Sequence, residues 1–520
     1  MELVHGPLRE LAEYEQMQDL LVKKAADIEV LGCGESQKLQ LISGLGNDFD
    51  VRLIITHNAL RAEEIAKDYT FYDKSVCYYP SKDLIFYQAD LCGNQVTTRK
   101  MQVIRRLLEI KRITIVITAD ELLAPHVPLE EYKECLLSLQ KGGIAEEVAI
   151  AHRLVSLGYE RVSQVEEPGQ FSIRGGIVDV FDLTAENPYR IELWGDEVDS
   201  IRSFDVGSQR SIEKLRSVVI YPATELILSK ELLDSGFKAM EKDMKKSHEA
   251  LRKSFQTEAA ARLKRNFEEL WEEMETFPFR CNLDSYFRYF YPEGVSFLDL
   301  LKDRSVGVFV DEPARVTEHG KAVELEFRES MIHRVEKGYI LPGQMELLYS
   351  VDSVATNMQK GRIITLAALE LKGSAAAFKP ALKVDLPVKS ISSYNNSFEA
   401  LVQDLKRYKK NGYRILLLSG SRTRAARLAE DLREHELSAF YTEDPGREVQ
   451  PGEIMTFYGR VLKGFEYPLL KFAVISESDI FGADQKKKKK KKKVYEGRKI
   501  NDFNELKIGD FAVHENHGLG

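Results

Sequence analysis

The chain has 520 residues, 43% hydrophobic and 30% charged, with a formal net charge of −8. That composition describes a soluble globular protein of roughly three or four domains. The acidic balance excludes an overall basic field that would hold nucleic acid non-specifically. Five cysteines (Cys33, Cys77, Cys92, Cys135 and Cys281) form no C-x-x-C pair, which argues against zinc and disulfides and fits a reducing cytoplasm. No apolar stretch approaches the roughly 20 residues that span a bilayer. Glu2, Arg9 and Glu10 stand where a signal peptide needs an apolar core. A cytoplasmic protein with no membrane contact is expected.

In chain order, the first distinctive stretch is "VLGCGESQKL" (30–39), a turn between a strand-like and a helix-like segment. A phosphate-binding loop reads G-x-x-x-x-G-K-[ST]: glycines turn backbone N–H groups toward phosphate, lysine neutralises charge and the hydroxyl holds magnesium. With Gly32 as the first glycine, the last three positions are Gln37, Lys38 and Leu39. Only the lysine survives, and Leu39 offers no oxygen to a hard cation. The preferred reading is a strand-to-helix turn that has lost nucleotide chemistry.

Residues 1–118 then alternate strands with helices. "VRLIITH" (51–57) and "ITIVITA" (113–119) read as buried parallel strands, and Met101, Ile104, Leu107 and Leu108 share one helical face. From 119 to 208 a helix over 144–157 leads into alternating segments, with turns at Gly175-Gly176 and Gly195-Asp196, giving a compact α+β insert. Residues 229–277 are expected to form mostly one long amphipathic helical region, with Leu251, Phe255, Leu263, Phe267, Leu270 and Trp271 as its packed stripe. "VGVFVDEPARV" (306–316) and "RIITLAAL" (362–369) resume the first α/β domain, so that 209–385 is its second part. A smaller α/β domain covers 386–483, where Phe398, Leu401, Val402 and Leu405 face inward and "RILLLSG" is a strand. Eight consecutive lysines (486–493) mark a linker over 484–505 that should be extended and solvated. "LKIGDFAVHENHGLG" (506–520) reads as the first strand or two of a further domain.

"GQFSIRGGIVDVFDLTAENPYRIELWGDEVDSIRSFDVGSQRS" (169–211) resembles the block shared by the excinuclease subunit UvrB and the transcription-repair-coupling factor (Mfd) family, and "IGDFAVHENHGLG" resembles the start of the RNA-polymerase-interacting domain of that second family. With the α/β–insert–α/β–α/β order, the chain resembles an N-terminal portion of the coupling factors. The implied fold is α/β, a degenerate P-loop NTPase-like (UvrB-like) domain with an α+β insert and a second, smaller α/β domain. UvrB has an intact phosphate loop and a tyrosine-rich hairpin that grips damaged DNA. Here the loop is broken, and only Tyr78, Tyr79 and Tyr87 lie near the corresponding place, where core tyrosines are the preferred reading.

The resemblance implies that Asp311 and Glu312 in "VFVDEP" descend from the acidic pair that holds magnesium-bound water in related ATPases. Without a phosphate loop opposite, they are expected to cap or salt-bridge. It also implies that the insert recruits UvrA through two arginines and an aromatic, which fall on Arg174, Arg190 and Trp194. The chemistry suits a docking face, since guanidinium forks grip carboxylates and Trp and Arg are enriched among hot spots. The competing reading pairs the arginines internally with Glu192 or Asp179 and buries the tryptophan. The expected partners are UvrA, RNA polymerase through 506–520, and DNA mainly through a downstream motor. No cofactor is expected in this chain, while ATP and Mg2+ would serve the motor of the longer family protein. The alternative is a divergent UvrB-like ATP-dependent helicase subunit that uses Lys38, Asp311 and Glu312.

Overall fold

The computed structural model describes residues 1–23, 27–82, 95–276, 283–359, 361–370, 380–386, 388–482 and the strand residues 513–514 and 518–519. Short runs rich in β-branched or aromatic residues become the strands β1 (Ile28–Leu31), β2 (Val51–Thr56), β3 (Cys77–Tyr79) and β4 (Ile113–Thr118). Every residue of β4 is buried, as expected of a strand covered on both faces. Helices Glu35–Leu45, Ala59–Tyr69 and Gln95–Glu109 alternate with them. On the third, Met101, Val103, Ile104 and Leu107 are buried, whereas Leu108 is only partly covered; Val103 takes the place expected for it. Tyr79 is a core residue against Phe297, with ring centroids 4.9 Å apart. Tyr78 is half-buried, and Tyr87 lies outside the described residues.

The insert contributes β5 (Leu137–Gln140), β6 (Glu160–Arg161), β7 (Gln170–Arg174), β8 (Ile177–Val180), β9 (Tyr189–Trp194), β10 (Glu197–Phe204), β11 (Ser211–Leu215) and β12 (Ser217–Ile220). Six form a sheet in the order β11-β10-β9-β8-β7-β6, while β12 pairs with β5. Two tight hairpins shape its outer end. Gly175 and Gly176 (φ +57° and +79°) join β7 to β8, and Gly195 (φ +62°) joins β9 to β10, a left-handed backbone that side chains disfavour. The helix before the sheet runs over Glu147–Ser156. The pairing of β11 with β10 and of β12 with β5 carries the insert beyond the expected limit at 208 to Ile220. A polar edge strand such as "SIEKL" (211–215) lacks the alternation that would have extended it in the sequence.

Residues 229–277 do not form one helix. Helices Lys230–Lys253 and Thr257–Thr276 fold back on each other around a reversal at Ser254–Gln256, where Phe255 adopts φ +60°. Leu263 and Phe267 enter the core, but Phe255 leaves the expected apolar stripe altogether and is exposed. The chain then returns to the first sheet as β13 (Val306–Asp311), β14 (Arg362–Leu366) and β15 (Leu382–Asp385). The sheet is parallel throughout, in the order β15-β1-β14-β13-β2-β4-β3.

The smaller α/β unit supplies β16 (Lys389–Ser390), β17 (Arg414–Ser419), β18 (Ala439–Tyr441), β19 (Ile454–Tyr458), β20 (Phe465–Tyr467) and β21 (Phe472–Ser476), in the order β16-β20-β21-β17-β19-β18. One face packs under Leu401, Leu405, Leu428 and Leu432. The other joins the first domain in a common core, where Leu416, Leu418 and Met455 meet Leu3, Leu8, Leu41 and Ile42. The two α/β units are therefore fused through apolar burial rather than strung on a linker. Val513–His514 and Gly518–Leu519 pair antiparallel, while the lysine run lies outside the described residues.

Candidate functional site

Two places in this fold hold the residues singled out by sequence. The first is the end of β1. Gly32 (φ +77°) turns the chain so tightly that a Cβ there would stand 2.8 Å from the Leu386 carbonyl oxygen. Helix Glu35–Leu45 follows, and Gln37 folds back so that its Oε1 accepts the Gly34 N–H at 3.1 Å. Its Nε2 donates to the Tyr467 hydroxyl at 2.8 Å, and that hydroxyl donates to Gln40 Oε1 at 3.0 Å. Tyr467 belongs to β20, so the smaller α/β unit sits directly over the loop.

Lys38 is only 3% exposed, with its ammonium 2.7 Å from Asp311 Oδ1 and 2.5 Å from Glu312 Oε1. Asp311 also accepts from Thr56 Oγ1 at 3.1 Å and from Arg61 Nε at 3.2 Å. Burial alone would raise the Asp311 carboxyl, but Lys38 and Arg61 outweigh it and hold its pKa below the ordinary range. Glu312 sits in a left-handed conformation (φ +55°) and also accepts the Ala368 N–H. Leu39 is buried in the common core. Gly32, Gln37, Lys38, Leu39, Asp311 and Glu312 thus converge at one strand end. These residues do not fit a magnesium–nucleotide complex: the ammonium is already matched by two carboxylates, Gln37 covers a loop N–H, and Leu39 supplies no oxygen.

The second place is the open face of the insert sheet. Cross-strand partners share a face, and the register pairs Arg174 with Ile177, Ile177 with Glu192, and Asp179 with Arg190. Two residues further along β9, Trp194 stands on the same side. It is 85% exposed. Arg174 is 57% exposed, with one guanidinium nitrogen 3.6 Å from Asp179 Oδ2, beyond hydrogen-bond range. Arg190 is different. It is 18% exposed and grips Asp179 with both arms of its fork, Nε–Oδ1 at 2.7 Å and Nη2–Oδ2 at 2.8 Å. Its Nη2 also reaches Gln209 Oε1 at 3.0 Å, and its plane lies 4.3 Å from the Phe204 ring centroid. The Asp179 hydrogen bonds, more than its charge, keep the Arg190 pKa raised.

The internal-pairing expectation therefore holds for Arg190 with Asp179, not for a buried tryptophan. Glu192 is taken by Arg202 and by Ser200 Oγ at 2.6 Å. Sequence reasoning overlooked Ile177, which is exposed between Arg174 and Trp194, and Gln209, whose left-handed backbone brings it to Arg190. Ile177 was findable, because it alternates with buried Val178. Gln209 gave no signal.

Residues 137–226 match the family model described as the UvrB interaction domain. Along nearly the whole chain the similarity is to curated transcription-repair-coupling factors. The protein of that name from Bacillus subtilis is 32% identical over 501 residues, covering 94% of this chain and 41% of the relative. Those from Staphylococcus epidermidis and Staphylococcus aureus are 25% and 26% identical over 95% and 98% of this chain. The chain spans about two fifths of the length of these relatives. Among the described residues, no helix is long and apolar enough to cross a membrane.

Proposed function

We propose that this chain, a relative of the transcription-repair-coupling factors, is a recruitment module in transcription-coupled DNA repair that binds UvrA through the open face of its insert sheet. One observation carries the reading: within the UvrB interaction domain, an indole stands almost wholly in solvent on the same sheet face as a half-free guanidinium. Leaving a large aromatic uncovered forgoes its burial energy, and a partner that covers it recovers that energy. Trp194 is the anchor and Arg174 the free cation for an acidic group on UvrA. Arg190 acts as a positioning residue, because its fork holds Asp179 and limits how strongly Asp179 neutralises Arg174.

In this reading the chain itself uses no ATP or Mg2+, which is supported by the pairing of Lys38 with Asp311 and Glu312. In the same reading, RNA polymerase contact belongs to the segment beginning at 506–520, and the ATP-driven DNA motor to the longer family protein. The test is a titration of UvrA with the parent chain and the variants Arg174→Ala, Arg190→Ala and Trp194→Ala. Trp194→Ala and Arg174→Ala should each weaken binding by about 2 kcal/mol or more, with a smaller loss for Arg190→Ala. Three variants that bind like the parent would remove the surface assignment. Tight ATP binding abolished by Lys38→Ala would favour the nucleotide-dependent alternative instead.

A further inference from the structure

We propose that the reversal of the helical hairpin formed by Lys230–Lys253 and Thr257–Thr276 is a contact site for single-stranded nucleic acid, with Phe255 stacking on a base and the surrounding cations meeting phosphates. The backbone comes first. The Phe255 N–H bonds to the Arg252 carbonyl at 3.1 Å and the Gln256 N–H to the Leu251 carbonyl at 2.9 Å, closing the helix with a left-handed residue in the place that glycine usually fills. Phenylalanine is a poor choice for φ +60°, by roughly 1 kcal/mol or more relative to glycine. Packing does not explain it, because the ring is 92% exposed. A bulky aromatic is thus held outward at a tight reversal at a cost that the fold itself does not repay.

Charge supplies the second observation. From 245 to 265 the hairpin carries seven lysines and arginines against two glutamates, Glu249 and Glu258. From 266 to 276 it carries five glutamates and no lysine or arginine. The segregation runs against the chain's net charge of −8 and gathers positive potential around the ring. Lys246, Arg252, Lys253 and Arg265 are exposed, and none forms an ion pair among the described residues. An aromatic platform within a cluster of uncommitted cations is the recognition chemistry of an unpaired strand: every base offers a π-face, and phosphates supply the charge.

The experiment is a fluorescence-anisotropy titration of a labelled oligothymidylate and of a duplex of equal length. Every arm uses the full chain with lysines 486–493 replaced by glutamine, so that the run cannot mask the hairpin. Phe255→Asn removes the ring while suiting the left-handed backbone, so its melting temperature should not fall. It should weaken single-strand binding about tenfold and leave duplex binding nearly unchanged. Arg252→Gln/Lys253→Gln should weaken both and flatten the single-strand salt dependence by about 1 to 1.5 in log–log slope. Equal binding by Phe255→Asn and the parent, or an equal loss on single strand and duplex, would overturn the proposal. So would Phe255-dependent binding to vesicles containing phosphatidylserine with no such dependence on the oligonucleotide.

Discussion

The end of β1 and the open face of the insert use the same chemical vocabulary, cations beside carboxylates, to opposite effect. At β1, Lys38 and Asp311 are nearly sealed from water, Glu312 is partly exposed, and every partner lies within the chain. On the insert, Asp179 is buried and claimed by Arg190, while Arg174 is left with a long, partial contact to the same acid. One acid shared between two guanidiniums leaves a surplus cation at the surface; two acids on one ammonium leave none. The difference teaches that internal pairing is not the opposite of an interaction surface, because the stoichiometry of pairing decides what remains for a partner.

The largest expected effect tests the sealed site. Lys38→Met leaves Asp311 and Glu312 facing each other with only Arg61 for relief, and should cost about 3–5 kcal/mol, read as a lower urea midpoint. Adding Asp311→Asn and Glu312→Gln should return much of that loss. If Lys38→Met alone is neutral, the ion pairs are not structural and the contrast fails.

Another carboxylate, at the junction of the two α/β units, sharpens the comparison through pH. Asp68 accepts the Leu462 N–H across the junction of the two α/β units, and burial pushes its pKa up to about 6 despite nearby Arg460 and Arg61. The folded state thus binds this proton more tightly than the unfolded chain does. The resulting penalty is fully present above about pH 6 and gone below the ordinary aspartate value of about 4. Asp68→Asn should therefore be more stable than the parent at pH 8, by on the order of 2 kcal/mol. The two urea midpoints should converge as pH falls to 4; a pH-independent difference would refute this account.

The smallest effect concerns the open face. Trp194→Ala should change stability by no more than about 0.5 kcal/mol, because its ring is 85% exposed. A melting temperature as depressed as that of Lys38→Met would mean that the indole supports the fold rather than a partner.

Much of the architecture was legible because strand and helix periods differ. Runs such as "ITIVIT" (113–118) and "RILLLS" (414–419) became buried strands where they were expected. The broken loop was legible because its two altered positions, Gln37 and Leu39, each stand where the template has a chemical duty. What covers it was not, since Tyr467 lies 430 residues from Gln37 and no local pattern links them. The division of labour between Arg174 and Arg190 was also hidden: alternation places both on one face, but only the register sets Asp179 opposite Arg190. The hairpin reversal escaped because "SFQT" (254–257) contains no glycine or proline, so the helical spacing runs through it uninterrupted.

The hydroxyl of Tyr467 joins two glutamines of helix Glu35–Leu45, and this has a mechanical result. A loop that would have to flex around a ligand is instead pinned from outside, so strain on the smaller unit passes straight into the helix that follows β1. Opening this loop to a ligand of any kind would first require the two units to be pried apart.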